Sequence, residues 1–170
     1  MNKIDQDLIK SINERYGLKG YSVDDFIENK DNILSKVDWA LVSRRTKLTE
    51  NFIDQFSNYV HWKSISEKQT LSEAFIRKYK DKVSWYFICK VQKLSEAFIE
   101  EHKDLVNWGR VSAYQKLSEA FVEKYSDFID WGYICSSQKL SGTFIEKYLD
   151  KVKIFQICGR IILSCQKKEK

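Results

Sequence analysis

Proline is absent from this 170-residue chain. An array of helices joined by two-residue links can do without it, since each proline would cost a backbone donor. Histidine occurs twice, at His61 and His102, and both read as capping or packing residues. No Ser-His-Asp arrangement, phosphate-cradling glycine loop or isolated carboxylate pair appears, so the chain reads as non-enzymatic. The four cysteines form no CxxC and no Cys/His cluster of zinc spacing, and no metal or cofactor is expected. Long apolar runs are missing too, which excludes a hydropathic membrane span. Met1–Asp5 lacks the apolar stretch of a secretory signal, so the expected location is the cytoplasm.

What is present is a repeat. The segment LSEAFIRKYKDKVSWYFICKVQK spans Leu71–Lys93, and the same 23-residue unit starts at Leu48, Leu94, Leu117 and Leu140. With the leucine as phase 1, all five tryptophans fall at phase 15: Trp39, Trp62, Trp85, Trp108 and Trp131. Apolar residues recur at phases 1, 5, 6, 9 and 13, then at 15, 18 and 19, in steps of about three and four that mark one helical face. The pattern breaks between phases 13 and 15, so each unit holds two short helices, A and B, of about ten and eight residues. Ser72, Ser95, Ser118, Ser141 and Thr49 stand at the N-cap of helix A. The preceding leucine and phase 6, Leu71 and Ile76 in one unit, can form a hydrophobic staple. Helices this short must bury their stripes against neighbours. The expected fold is all-α, an α-solenoid of stacked two-helix repeats in one domain. A leucine-rich repeat is rejected, for the unit lacks its strand leucines and its asparagine.

The expected organisation is an N-terminal capping helix over 1–20, a divergent first repeat over 21–47, four regular repeats over 48–139, a divergent last repeat over 140–165 and a tail over 166–170. The capping helix should end at Gly17 or Gly20, and Ser22 should cap the first array helix, with Asp24 and Asp25 in its first turn. In the last repeat Gly142 replaces glutamate, Ile154 replaces tryptophan and Ile161 replaces glutamine. Each tryptophan is expected to be core, filling the joint between stacked pairs. Cys89, Cys135 and Cys158 share phase 19 with Ser43, Ser66 and Ser112, where a small residue lets helices approach; free thiols there fit a reducing compartment. Gln69, Gln92, Gln115 and Gln138 share phase 22, and their amides are expected to bond backbone groups in the joint to the next unit.

The net charge of +5 is unevenly spread. Helix B and its exit hold eleven of the 29 basic residues but one of the 24 acidic ones, Glu67. The lysines at phase 23 follow from helix polarity. The remaining cations lie on phases that vary from unit to unit and also carry aromatics. The candidate partner-binding residues are Arg44, Lys63, Lys68, Tyr86, Phe87, Lys90, Arg110, Tyr114 and Tyr133. Phe87 and Tyr133, both at phase 17, are expected to flank Arg110. Cations and aromatics that vary along a regular scaffold suit a protein partner with an acidic surface. Single-stranded nucleic acid is the alternative occupant of this face, and self-assembly through the apolar RIILSC stretch of the C-terminal end is a third reading. No membrane partner is expected.

LSEAFI, the DKVSW of Asp81–Trp85, Ile88 and the QK of Gln92-Lys93 together resemble short helical repeats of tailed phages, giant viruses and some bacteria. The resemblance covers about Leu48 to Lys153. It implies a viral inhibitor or adaptor that acts on a host protein, including a defence protein, in the host cytoplasm.

Overall fold

The computed structural model describes residues 3–15 and 37–156, and every regular element among them is an α-helix. Helix α1 is Lys3–Arg15 and α2 is Trp39–Arg45. Pairs follow: α3 Glu50–Gln55 with α4 Trp62–Lys68, α5 Glu73–Lys78 with α6 Trp85–Val91, and α7 Glu96–Glu101 with α8 Trp108–Tyr114. Then come α9 Glu119–Lys124 with α10 Trp131–Ser137, and α11 Gly142–Lys147 with α12 Leu149–Gln156. The fold is an all-α helical repeat of the solenoid type. The chain divides into two compact units, 1–84 and 85–170. In the first, α2 packs on α4; in the second, α6, α8, α10 and α12 pack in succession. The expected ends and caps at Gly17, Gly20, Ser22, Asp24 and Asp25 lie outside the described residues, as do Cys158, Ile161 and the tail.

Helix A is shorter than expected, six residues followed by a turn. Two side chains keep that turn from running on as helix into helix B. A continuing helix would join the phase-10 carbonyl to the phase-14 N–H. Instead the indole donates to the phase-10 carbonyl: Trp62 Nε1 to Ser57 O (2.9 Å), Trp108 to Lys103 O (3.0 Å) and Trp131 to Ser126 O (3.1 Å). The phase-14 N–H turns to the serine of the preceding repeat: His61 to Ser43 Oγ (3.0 Å), Ser84 to Ser66 Oγ (2.9 Å) and Asp130 to Ser112 Oγ (2.9 Å). The last repeat shows what happens without the indole. Ile154 stands at phase 15 and Lys153, not a capping residue, at phase 14. There helix α12 begins at Leu149 and runs through both positions.

Phase 19 therefore needs an acceptor as well as a small side chain. Ser112 Oγ also donates to Trp108 O (2.7 Å). In the Cys89 copy the thiol takes the Asn107 N–H, and burial pushes its pKa from 9.0 up to about 11. It stays protonated at neutral pH and is no nucleophile. Ser112→Ala is expected to cost about 1–2 kcal/mol, since the Asp130 N–H, in a part-buried bond, loses its acceptor. Ser112→Cys should cost well under half as much, because other copies carry cysteine there; urea titration of the two variants separates them.

The phase-22 glutamines do bond backbone in a joint, but in the joint that precedes their own repeat. Leu48 N–H donates to Gln69 Oε1 (2.9 Å), and Gln69 Nε2 donates to Ser43 O (2.9 Å) and Thr46 O (2.8 Å). Gln115 repeats this with Leu94 N–H, Cys89 O and Gln92 O at 3.0, 2.7 and 2.8 Å. The amide thus closes carbonyls that the end of the previous helix B leaves open. The phase-3 glutamates also reach between repeats. Both oxygens of Glu50, Glu96 and Glu119 accept from the N–H and hydroxyl of Ser72, Ser118 and Ser141. Helix polarity explains their position, and this clamp their recurrence. At Gly142 an added Cβ would meet nothing within 4 Å, so the glycine has no steric cause.

Rings fill the space between repeats. Trp62 lies 4.6 Å from Tyr79 and 6.4 Å from Phe75 of the following helix A. Trp108 meets Tyr125 at 5.0 Å and Phe121 at 6.4 Å, and Trp131 meets Tyr148 and Phe144 likewise. Trp39 and Trp131 are buried, whereas Trp62, Trp85 and Trp108 are half-buried. His102 packs as expected, buried at 4.3 Å from the Phe98 ring. His61 N-caps α4 without a side-chain bond to backbone; its Nδ1 meets Ser64 Oγ at 2.9 Å. Helix α1 attaches through Asp5, fully buried, which accepts from Thr49 Oγ1 (2.5 Å) and Asn51 Nδ2 (2.6 Å).

Candidate binding face on the second helices

Helix B starts where it does because the residue before the tryptophan caps it. Asp38 accepts from Leu41 N–H, Asn107 from Arg110 N–H, and Asp130 from Gly132 and Tyr133 N–H. With phases 18 and 19 buried, phases 16, 17, 20 and 21 turn outward to differing degrees. Ser64, at phase 17, is buried against His61; Phe87 and Arg110 at that phase are half-buried, and Tyr133 is exposed.

The nine candidates divide between the two units. Arg44, Lys63 and Lys68 belong to the first and are exposed. Lys68 pairs with Glu67 at 3.0 Å, which spends part of its charge locally. The second unit holds the rest. Helix α6 supplies Tyr86, Phe87 and Lys90, α8 supplies Arg110 and Tyr114, and α10 supplies Tyr133.

Arg110 is the centre of this second group. Its guanidinium carbon lies 4.3 Å from the Tyr86 ring centroid and 5.9 Å from that of Tyr114. Lys90 Nζ lies 5.8 Å from the same Tyr114 ring. The phenol pair that holds the cation is thus Tyr86 and Tyr114, at phases 16 and 21. Phe87 instead sets its edge against Tyr86, with centroids 5.1 Å apart and planes at 81°. Phase 17 alone misplaced the contact because a guanidinium reaches back over the helix turn N-terminal to its own Cα. Such cation–ring contacts are worth roughly 0.5–1 kcal/mol each at exposed sites. No carboxylate pairs with Arg110 or Lys90 among the described residues. The rings are open to water, with Tyr86 39%, Tyr114 50% and Tyr133 45% exposed.

The helix A edge is different in kind. Its lysines find acids one repeat back: Lys78 pairs with Asp54, Lys124 with Glu100 and Lys147 with Glu123. The lysine bonds hold the Asp54, Glu100 and Glu123 carboxyls below their usual range. Exposed pairs of this sort add little stability, but they neutralise the edge. One aromatic there escaped the sequence pattern. Phe128, at phase 12, is 60% exposed although its ring lies 5.4 Å from Trp108. Its phase is apolar in some copies and lysine in others, so periodicity gave no signal.

No group of three or more His, Cys, Asp or Glu side chains among the described residues is placed to hold a metal ion. No described helix is long and apolar enough to cross a membrane. The molecule is an all-α helical repeat protein. The chain matches no family model, and neither a curated protein nor a solved structure matches it.

Proposed function

We propose that this chain is a protein-binding repeat scaffold that presents Tyr86, Lys90, Arg110 and Tyr114 to an acidic surface of its partner. The observation that carries the reading is Arg110, a cation held over two tyrosine rings with no acid paired to it among the described residues. A guanidinium fixed this way loses little freedom when it takes a bidentate carboxylate. Tyrosine and arginine are also the residues that dominate binding energy at protein interfaces. Single-stranded nucleic acid is the weaker reading, because it needs open ring faces for base stacking, and the guanidinium covers one face of Tyr86. The inhibitor role implied by the repeat resemblance is the specific form of this proposal, with a host protein as target. Buried, unpaired Cys89 fits a reducing compartment such as the cytoplasm.

The test is recovery of bound protein from native cells after nuclease treatment and a high-salt wash, comparing the wild type with a Tyr86, Arg110, Tyr114 triple-alanine variant. The variant is expected to lose the partner. On the purified complex, Arg110→Ala should weaken binding about thirtyfold, roughly 2 kcal/mol. Equal recovery by both proteins rejects the face. Material released by nuclease and by moderate salt would support the nucleic-acid reading instead.

A further inference from the structure

A second basic site is built from other residues. In the first unit, α1 and the C-terminal end of α2 flank an open cavity of about 180 Å³ lined by Ser11, Ile12, Arg15, Val42, Arg45, Thr46 and Lys47. One of its lining residues departs from the repeat. Thr46 stands at phase 22, where four other copies carry glutamine. In three of those copies, at Gln69, Gln115 and Gln138, the long amide reaches back and ties the preceding joint; the shorter threonine side chain lines this cavity instead. Ile12 and Val42, both buried, make an apolar floor. Two hydroxyls and three cations complete the wall, with no acid among the described lining residues. The side chains of Arg15, Arg45 and Lys47 pair with no carboxylate among the described residues.

We propose that this cavity binds a phosphate monoester. Three unpaired cations call for more than the single negative charge of a carboxylate. A phosphate monoester carries about −1.5 to −2 at neutral pH and offers three acceptor oxygens. Arginine matches those oxygens bidentately, and lysine adds a point charge. Ser11 and Thr46 can each donate one further hydrogen bond. The volume equals roughly six waters at about 30 Å³ each, enough for a phosphoryl group and the first atoms of its ester against Ile12 and Val42. The ester can come from a small metabolite or from a phosphorylated side chain of another protein.

The full chain would be titrated calorimetrically at low salt with inorganic phosphate, glycerol 3-phosphate, free phosphoserine, a phosphoserine peptide and acetate. Binding of the phosphates and none of acetate is expected. Arg45→Ala and Arg15→Ala, at exposed positions, should each weaken binding at least tenfold with unchanged circular dichroism. Thr46→Gln keeps every cation but fills the cavity with the side chain of the other copies, and should also weaken binding at least tenfold. A peptide that binds more tightly than free phosphoserine assigns the ester to a protein; equal affinity assigns it to a metabolite. The site is overturned if no phosphate binds, if acetate binds as tightly, or if Arg45→Ala and Thr46→Gln both bind like the wild type.

Discussion

Replacing Trp108 by alanine is expected to lower the stability of this protein by about 3 kcal/mol, within the usual range for a large core truncation. The indole contacts Phe121 of the next helix A and Tyr125 and Phe128 of the turn that follows it, and bonds Lys103 O. Half-exposure keeps the figure at the lower end of that range. A loss of this size should lower the melting temperature by about 6–12 °C in a chain of this length. Trp108→Phe should recover most of the ring packing but not the bond to Lys103 O, and so fall between the two. Thermal melts followed by circular dichroism decide this, and an unchanged curve for Trp108→Ala would remove the indole from the core. Because repeats are stabilised by their nearest neighbours, the loss should be felt first in helices α7 to α9, as faster amide exchange there.

Gln115→Ala should cost nearly as much, about 3 kcal/mol, although it removes only a few polar atoms. Gln115 is 4% exposed and its side chain makes three hydrogen bonds to backbone. Its loss strands the Leu94 N–H and the carbonyls of Cys89 and Gln92. Each unpaired buried group costs about 1–3 kcal/mol, offset in part where water can enter. Gln138 offers the control. It is half-buried, and its bond from Leu117 N–H is longer, at 3.3 Å, so Gln138→Ala should cost about half as much. Gln115→Glu should be worse than alanine at neutral pH, since it aims a carboxylate at two carbonyls. Burial among acceptors raises the folded-state pKa of that glutamate, so the variant should regain stability as pH falls through the raised value. Chemical denaturation from pH 8 to pH 4 would show it. Equal midpoints for Gln115→Ala and the wild type would mean that the joint holds without its amide.

Much of this architecture was legible in the residues. The spacing of Leu71, Phe75, Ile76, Trp85, Ile88 and Cys89 marks two helical stripes, and the structure buries them, Trp85 only in part. Ser72, Ser95, Ser118 and Ser141 announce the start of helix A, and each accepts the expected N–H. The candidate face was legible in composition, for the cations and aromatics were all named. The contact within it was not. Arg110 lies on Tyr86, 24 residues earlier, because α6 and α8 pack side by side, and phase arithmetic does not give the reach of a guanidinium. Phe128 and the cavity at Thr46 were missed because both are departures from the repeat, and a consensus averages departures away.

By itself, then, the sequence determined the period, the helical class, the caps and the apolar stripe. These depend on residues within one or two turns of each other, where backbone geometry ties spacing to position. Tertiary structure alone decided which neighbour each polar side chain serves. Gln69 and Glu50 recur at a 23-residue spacing, and the phase of Ser66 holds serine or cysteine; a periodic pattern looks the same whether its contacts run forward or back. Gln69 reaches toward the preceding repeat, while Ser66 and Glu50 receive donors from the following one. That choice rests on how one helix pair is set against the next.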